Sequence, residues 1–348
     1  MNECLLDILV DPVDRSRLRS VGDVLISESG RTFPIVEGVP IMLVDGIDQT
    51  IRVAERTLNA VRKRTNFDDP WQLETTVIDD CHIPEVRRLL TGMPSQSAID
   101  PVINYLIGKT GGYLYRRLVG QLEGYPIPEI PVPSADGPAA KLLLDIGCGW
   151  GRWSLSAAKK GYVVTGLDPS LGAVLAGRRA AQQMGLTVHW VVGDARYLPF
   201  KDNSFDQVFS YSVVQHFSRS DARQTLSEVG RALDRQGTSL IQMPNIYGVR
   251  SLYHQCRRRF REAERFEVRY YTPAGLLDLF QATVGPSKLS IDGFFGLGVQ
   301  LADASMMPMK NKAVIYTSGV LRRAARVVPP LKSVADSLYV ESKKGQLH

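Results

Sequence analysis

Short apolar runs alternate with helix-like segments through the second half of the chain. Five runs have the length of a strand: 142–144, 162–167, 187–192, 205–211 and 238–243. Continuous apolar runs of this kind are typical of strands that are buried on both faces. Because helical segments separate them, the pattern predicts an α/β protein with a doubly wound, mainly parallel sheet. We expect Ser220 or Asp221 to cap the helix that runs to Leu233, and Gly237 to follow its C-terminus.

The first of these strands ends in a glycine-rich turn. Asp145 closes the strand, and glycines follow at alternate positions, Gly147, Gly149 and Gly151. Glycine lets the backbone adopt positive φ and lets a ligand lie directly against the main chain. A helical stretch begins at about Arg152, so the unit consists of strand, glycine turn and helix. In a doubly wound sheet this point is the ligand crevice at the carboxyl ends of the strands.

The spacing of glycines and acids indicates which ligand binds there. The turn has the pattern G-x-G-x-G, whereas a dinucleotide fingerprint has G-x-G-x-x-G. The second strand ends in Asp168, 23 residues after Asp145, and a carboxylate there can accept both hydroxyls of a ribose. The third strand leads into Asp194, which is expected at the same sheet edge and within reach of an adenine amino group.

These motifs resemble those of the class I S-adenosylmethionine (SAM) dependent methyltransferases, with a core of the methyltransferase type 11 kind. Asp145-Ile-Gly-Cys-Gly-Trp-Gly resembles their first motif and Gly166-Leu-Asp168 their second. Gly193-Asp194-Ala195, followed by 198–200 and 204–206, resembles the third and fourth, so the likeness covers about residues 140 to 245. An α/β domain that binds a nucleotide without chemistry is the alternative.

The resemblance implies SAM as cofactor, held by ten residues: Asp145, Gly147, Cys148, Gly149, Asp168, Pro169, Asp194, Ala195, Tyr211 and Ser212. It also implies a Rossmann-like, seven-stranded sheet in which 289–295 is the sixth strand and 337–343 an antiparallel closing strand. Residues 139–348 then form the methyltransferase domain, with an insertion at about 296–336.

Residues 1–45 are expected to form a small α+β domain. An apolar segment, a turn and short strands resemble the Trm112-like domain, which serves as an activator or partner of methyltransferases. Where that family often has zinc-binding cysteines, this chain has Asp11 and Asp14, and serines near Ser27 and Ser29. Two aspartates alone make a poor zinc site. We therefore expect a metal-free domain with a scaffolding role.

Residues 46–138 are expected to be a helical region that ends in a proline-rich connector. Apolar spacing indicates helices at 53–61, 84–90 and within 99–124. The resemblance suggests that the helix before the core closes over the cofactor as a lid. Tyr113 and Tyr115 are therefore candidates for substrate binding, and simple packing of an amphipathic helix is the alternative. The alternate prolines of 125–138 predict an extended connector.

His216 is the candidate catalytic residue. Methyl transfer from a sulfonium needs the nucleophile and the methyl group held in line, and a general base helps when the acceptor is a hydroxyl. His216 follows the fourth strand at the mouth of the crevice, and an unperturbed imidazole titrates near pH 6.5. The alternative is a structural histidine beside the cofactor.

The stretch 245–271 is expected to form the acceptor side of the site. The candidate substrate-binding residues there are Asn245, Arg250, His254 and Tyr271. Arginine binds phosphate or carboxylate in a bidentate manner. Most of the arginines at 257–269 have glutamates at helical spacing and are expected on a solvated face. Arg250 has no such neighbour and is the favoured substrate contact.

Composition and charge exclude some classes of protein but do not indicate a function. The net charge is +6 with a pI near 9.1, which suits an anionic substrate without requiring nucleic acid. The four cysteines are scattered, so neither a metal site nor a disulfide framework is indicated. Glu3 and Asp7 interrupt the N-terminal apolar run, and no stretch approaches the length of a membrane span, so we expect a cytoplasmic protein.

Three functions are compatible with these features. The first is methyl transfer to a hydroxyl or other heteroatom of a small polar metabolite or glycan. The second is a tRNA or rRNA methyltransferase; the chain disfavours it, because the exit of the fourth strand lacks the Asn/Asp-Pro-Pro-Tyr/Phe type motif used on nucleobase or amide nitrogens. The third is a SAM-binding scaffold without catalysis. A homo-oligomer remains open.

Overall fold

The computed structural model describes residues 3–49, 51–63, 75, 99–110, 115, 118–120, 122–135, 137, 139–295, 304, 306–325, 327–328 and 330–345. The strands are β1 (Leu18–Val21), β2 (Val24–Ser27), β3 (Thr32–Val36), β4 (Val39–Pro40), β5 (Leu142–Ile146), β6 (Val163–Asp168), β7 (Val188–Val192), β8 (Phe205–Ser210), β9 (Leu233–Pro244), β10 (Ser287–Gly293) and β11 (Ser337–Lys343). The helices are α1 (Glu3–Ile8), α2 (Arg52–Arg62), α3 (Pro101–Thr110), α4 (Arg152–Lys159), α5 (Leu171–Gln183), α6 (Arg219–Ala232), α7 (Val249–Arg257), α8 (Pro273–Thr283), α9 (Met309–Ala324) and α10 (Pro330–Ser333).

The large sheet has seven strands in the order β10-β11-β9-β8-β5-β6-β7. Strands β9, β8, β5, β6 and β7 pair in parallel, and β11 pairs antiparallel with both β9 and β10. The strand order reverses beside β5, which places a crevice at the carboxyl end of that strand. The predicted α/β fold with a Rossmann-like sheet and an antiparallel closing strand is confirmed.

Each strand serves two cores because its side chains alternate between the faces of the sheet. In β8, Val208 packs in the core that includes Leu226 of α6 and Phe280 of α8. The next residue, Phe209, packs in the core that includes Trp153 of α4. Both faces are therefore covered by helices, which explains why the central strands are apolar throughout rather than alternating.

Two local expectations about helix α6 were wrong. Ser218 caps its N-terminus, because its hydroxyl accepts a hydrogen bond from the backbone N–H of Asp221 at 3.1 Å. The helix ends at Ala232, and Gly237 lies inside β9, where the pairing with β8 becomes irregular. A Cβ at Gly237 would lie 2.9 Å from the carbonyl oxygen of Phe205, so close backbone approach, not helix termination, requires this glycine.

The N-terminal unit has a four-stranded antiparallel sheet, β1 to β4, and is joined to the edge of the large sheet. The backbone N–H of Met42 donates to the carbonyl of Val192 at the end of β7, at 2.7 Å. Leu9 forms an isolated antiparallel bridge with Phe200, and both side chains belong to one buried core. The small unit and the large sheet therefore share a hydrophobic core.

Arg31 contacts the side chains at the positions where the Trm112-like family often has zinc-binding cysteines. One nitrogen of Arg31 lies 3.0 Å from a carboxylate oxygen of Asp11 and 2.7 Å from one of Asp14. The same nitrogen donates to the hydroxyl of Ser29 at 3.1 Å, and this hydroxyl lies 2.9 Å from that of Ser27. The Asp11 side chain is fully buried, so the guanidinium supplies the positive charge that a buried carboxylate requires.

The helical region lies over the cofactor end of the sheet. The hydroxyl of Thr57 in α2 donates to the carbonyl of Pro169, directly after β6, at 3.0 Å. Helix α2 matches the segment predicted at 53–61, and α3 lies within the one predicted at 99–124. The helix predicted at 84–90 lies outside the described residues. Within the described ranges, every helix is too short or too polar to span a lipid bilayer.

Candidate functional site

The glycine turn after β5 is shaped by two contacts that exclude a side chain. Gly147 and Gly151 have φ of +69° and +79°, in the region that favours glycine. A Cβ on Gly147 would lie 2.2 Å from Val213, and one on Gly151 would lie 2.3 Å from the ring of Trp190. Gly149, also at positive φ, has no atom within 4 Å of its Cβ direction. Its backbone therefore faces open space in which a ligand can lie.

Asp168, at the end of β6, is bound to this turn. One carboxylate oxygen accepts the backbone N–H of Gly149 and the other accepts that of Ser170, both at 2.9 Å. Burial raises the pKa of Asp168 to about 6, although these two hydrogen bonds oppose the shift. Each oxygen retains a lone pair that can accept a hydroxyl. This chemistry fits the two hydroxyls of a ribose.

Asp145 does not line the cavity, which corrects its assignment as a direct cofactor ligand. The side chain is buried beneath the turn, and one of its oxygens accepts the hydroxyl of Ser154 at 2.6 Å. Burial raises the pKa of Asp145 to about 7. Its position makes Asp145 a support that joins β5 to α4 rather than a group exposed to a ligand.

Asp194 reaches the cavity but is already paired. Both of its oxygens accept hydrogen bonds from Arg196, the shortest at 2.7 Å, and the same guanidinium donates to the carbonyl of Asp48 at 2.6 Å. This partner was missed from the sequence. A carboxylate held in this way keeps a fixed orientation and still has lone pairs for an amino group.

One cavity of about 850 Å³ runs along the carboxyl ends of the strands. Nine of the ten residues proposed for the cofactor line it: Gly147, Cys148, Gly149, Asp168, Pro169, Asp194, Ala195, Tyr211 and Ser212. Ile51, Val53 and Leu106 of the helical region close it from above the sheet. In the described part of the chain, no three His, Cys, Asp or Glu side chains are grouped so that they could hold a metal ion.

His216 lines the same cavity with a defined tautomer. Its Nδ1 lies 2.8 Å from the carbonyl oxygen of Phe266, and because a carbonyl only accepts, Nδ1 carries the proton. Its Nε2 is therefore the acceptor nitrogen, and the amide nitrogen of Gln215 donates to it at 3.3 Å. The imidazole stacks on the ring of Phe266 with centroids 4.0 Å apart. Burial lowers the pKa of His216 to about 4, so the ring is neutral at physiological pH.

The residues proposed for the acceptor divide into two groups. Arg250 and His254 line the cavity, and the Nε of Arg250 lies 3.2 Å from the Nε2 of His254. Asn245 is fully buried and does not line it, since its amide donates to the carbonyls of Ser333 and Ala335, both at 2.8 Å. The substrate role expected of Asn245 is therefore wrong.

Two tyrosines are also displaced from the expected acceptor site. Tyr271 is buried away from the cavity, with the guanidinium of Arg219 4.9 Å from its ring centroid. Tyr115 is fully buried, and the guanidinium of Arg152, which lines the cavity, lies 5.5 Å from its ring centroid. Tyr113 lies outside the described residues.

A polar floor connects the end of β8 with β9, β11 and β10. Its residues Gln242, Ser337 and Asp292 were missed from the sequence, whereas Tyr211 and Ser212 were expected only as cofactor contacts. Its members are Ser212, Gln242, Ser337, Asp292 and Tyr211, and all of them line the cavity. The Ser212 hydroxyl donates to Oε1 of Gln242 at 3.0 Å, and Nε2 of Gln242 donates to Ser337 at 2.6 Å. Ser337 and Tyr211 both donate to Asp292, at 2.7 and 2.9 Å. Burial raises the pKa of Asp292, and its hydrogen bonds oppose the shift.

Arg152 is the second feature that sequence reasoning missed. It begins α4, lines the cavity, and lies 5.5 and 5.4 Å from the ring centroids of Tyr115 and Trp153. Within the described part of the chain, its Nε and Nη2 are buried without a hydrogen-bond partner. A buried guanidinium with unmet donors is costly unless an anion binds to it.

Comparison with known proteins agrees with this site. Residues 143–237 match the protein family described as "Methyltransferase domain". A ubiquinone biosynthesis O-methyltransferase of Azorhizobium caulinodans is 30% identical over 103 residues, which are 30% of this chain and 40% of that protein. Phosphoethanolamine N-methyltransferase 2 of Caenorhabditis elegans is 34% identical over 110 residues, 31% of this chain and 25% of that protein. The chain thus spans less than half the length of these curated relatives.

Among solved structures, the YcgJ protein of Bacillus subtilis aligns with a TM-score of 0.42 and 21% identity, over 61% of this chain and 95% of that one. The family match, at residues 143–237, includes the strands and the glycine turn that form the cofactor end of the cavity. Residues 143–237 thus resemble a methyltransferase domain, and S-adenosylmethionine is the cofactor that fits this site.

Proposed function

We propose that the protein transfers a methyl group from SAM to a hydroxyl, or another heteroatom, of a small polar metabolite or glycan that carries an anionic group. The observation that carries this proposal is the Arg152 guanidinium, in the same cavity as the glycine turn, whose Nε and Nη2 have no hydrogen-bond partner among the described residues. Residues 139–348 would perform the transfer. The N-terminal unit, 1–45, would act as a Trm112-like scaffold, and 46–138 would cover the cofactor.

The chain's own residues would hold the cofactor in a fixed orientation. Asp168 would accept the ribose hydroxyls, and Asp194 with the adjacent backbone of Ala195 would meet the adenine. The exposed main chain of the glycine turn, with Tyr211 and Ser212, would hold the methionine part. When bound, SAM supplies an activated methyl group on sulfur, so the protein's main task is to align the acceptor with it.

His216 would take the proton of an acceptor hydroxyl at Nε2. The hydrogen bond from Nδ1 to Phe266 fixes the tautomer, and the low pKa keeps the ring unprotonated. The adjacent polar floor, with Asp292 and Tyr211, would orient the acceptor by hydrogen bonds. One relative is named an O-methyltransferase and another an N-methyltransferase. We therefore propose a hydroxyl or another heteroatom as the methyl acceptor.

Transfer from labelled SAM tests the function directly. The protein is incubated with methyl-labelled SAM and fractionated cell extract, and label is expected in an anionic small-molecule or glycan fraction that anion exchange retains. Protein heated to denaturation is the control. Label in RNA alone, or SAM binding with no transfer to any fraction, would contradict the proposal.

Replacing Asp168 by Asn is expected to weaken SAM binding roughly 100-fold, since two hydrogen bonds to a charged group are reduced. Wild-type affinity should rise as the pH increases through about 6, because the raised pKa of Asp168 keeps the carboxyl protonated below it. The variant should lose that rise. Calorimetry measures both effects, with the exposed Asp278→Asn as matched control, and an unchanged affinity in Asp168→Asn would exclude the assigned role.

His216→Ala is expected to lower kcat by about 100- to 10,000-fold, the usual range for a general base, with SAM affinity unchanged. Wild-type turnover should not fall between pH 8 and 5 on account of this group, because its pKa lies near 4. The matched control is His189→Ala, on β7 and outside the cavity. An equal kcat in His216→Ala and wild type would show that this histidine is structural.

Arg152→Met is expected to raise KM for the acceptor found in the transfer assay roughly 10- to 100-fold, because hydrogen bonds to the anion are lost. The exposed Arg235→Met is the control. Binding of SAM is compared with that of 5′-methylthioadenosine, which lacks the carboxylate, and Arg152→Met should change neither. Weaker binding of SAM alone would mean that Arg152 holds the cofactor carboxylate, and the anionic-acceptor argument would fail.

A further inference from the structure

Helix α9 forms one wall of the cavity with a single face. Ile315, Ser318, Gly319 and Arg322 line the cavity, and their spacing of three, four and seven places them on the same side of the helix. Only Ile315 of these is an apolar side chain, and it is buried. The inward face of α9 is therefore mostly polar.

A second face of α9 is apolar and open. Met309, Tyr316 and Val320 are 80%, 55% and 61% exposed. Tyr316 and Val320 lie seven and eleven positions after Met309, so the three form one stripe along the helix. Helix α9 packs Ile315 and Leu321 against the cores, but this second apolar stripe is left open.

Helix α7 repeats this orientation on another wall. Arg250, Ser251 and His254 line the cavity, whereas Val249 and Tyr253 are both 58% exposed. Leu252, on the same outward side, is 41% exposed. Two walls of one cavity thus expose apolar residues. A single exposed apolar side chain would need no explanation, but several of them on the walls of one cavity indicate a contact surface.

The charges of both helices have one sign. Neither α7 nor α9 contains an aspartate or glutamate. Helix α9 carries Lys310, Lys312 and Arg323, and α7 carries Arg257, outside the cavity lining, whereas Arg322 and Arg250 line the cavity. A protein partner with an apolar surface would match the apolar stripes, but it would not require the excess of positive charge. An anionic lipid surface matches both the apolar stripe and its basic flanks.

We propose that the outward faces of α7 and α9 dock on an anionic lipid bilayer, with the apolar side chains at the boundary of headgroups and acyl chains. The basic residues would meet lipid phosphates. Docking would place the cavity next to the bilayer. An amphiphilic acceptor with an anionic headgroup could then enter it, a step that rests on the proposed function. Docking itself requires no turnover.

Vesicle sedimentation of the full chain tests this docking. Wild type is expected to sediment with phosphatidylcholine vesicles that contain phosphatidylglycerol, and not with phosphatidylcholine alone. Binding should weaken in about 1 M NaCl, where the screening length falls to about 3 Å. Lys310→Gln with Arg323→Gln is expected to lower the partition coefficient roughly 25-fold, at about fivefold for each charge.

Tyr316→Ser with Val320→Ser should also reduce vesicle binding at least about tenfold, since apolar area is lost. Val13→Ser is the matched control, because Val13 is 44% exposed in the N-terminal unit. Circular dichroism and SAM affinity verify the fold of each variant. Absence of wild-type binding to anionic vesicles, or equal binding by the serine variant, would overturn the proposal. A lipid-free wild-type dimer that the serine variant converts to monomer would overturn it too, by making this face a subunit interface.

Discussion

The structure depends on the bond between a glycine turn and a carboxylate on the neighbouring strand. Asp168 accepts the N–H groups of Gly149 and Ser170, which ties the turn after β5 to the start of α5. The turn can approach so closely only because Gly147 and Gly151 have no side chains to meet Val213 and Trp190. This arrangement holds a buried carboxyl whose pKa is raised to about 6, so the folded protein without ligand is destabilised by this group as the pH rises from about 4 to 6. A ligand that donates hydroxyls to Asp168 removes part of that cost.

The elements whose identity follows from local pattern could be predicted from the sequence. The apolar runs could be recognised as strands because both faces of the sheet are covered by helices. The glycine spacing indicated where the ligand crevice lies. The sequence did not reveal the direction in which each acid points. Asp168 ends β6 and Asp145 is the next-to-last residue of β5, yet the Asp145 carboxylate is buried against Ser154 while Asp168 faces the cavity. Gly237 likewise follows a helix in the sequence, but the approach of the Phe205 carbonyl, a contact between two strands, determines its role.

The polar floor was missed because the partners of its residues lie far away in the chain. The polar floor joins Gln242 of β9, Ser337 of β11 and Asp292 of β10, which become neighbours only through the order of strands in the sheet. No local motif marks any of them. Arg31 is similar, since its pairing with Asp11 and Asp14 is visible only once the small sheet folds. The absence of cysteines at these positions was readable from the sequence, but the arginine that pairs with the two aspartates was not.

The polar lining of the cavity also accounts for the orientation of its wall helix α7. Burying a large apolar side chain stabilises a protein by about 1.5–3 kcal/mol, so a helix that exposes several of them gives up stability unless something covers them. Helix α7 instead turns Arg250 and His254 toward the cavity that Asp292 also lines, where a charged group needs polar neighbours. Val249 and Tyr253 are left outward as a consequence. The polar cavity inside and the exposed apolar side chains outside are thus two results of a single packing constraint.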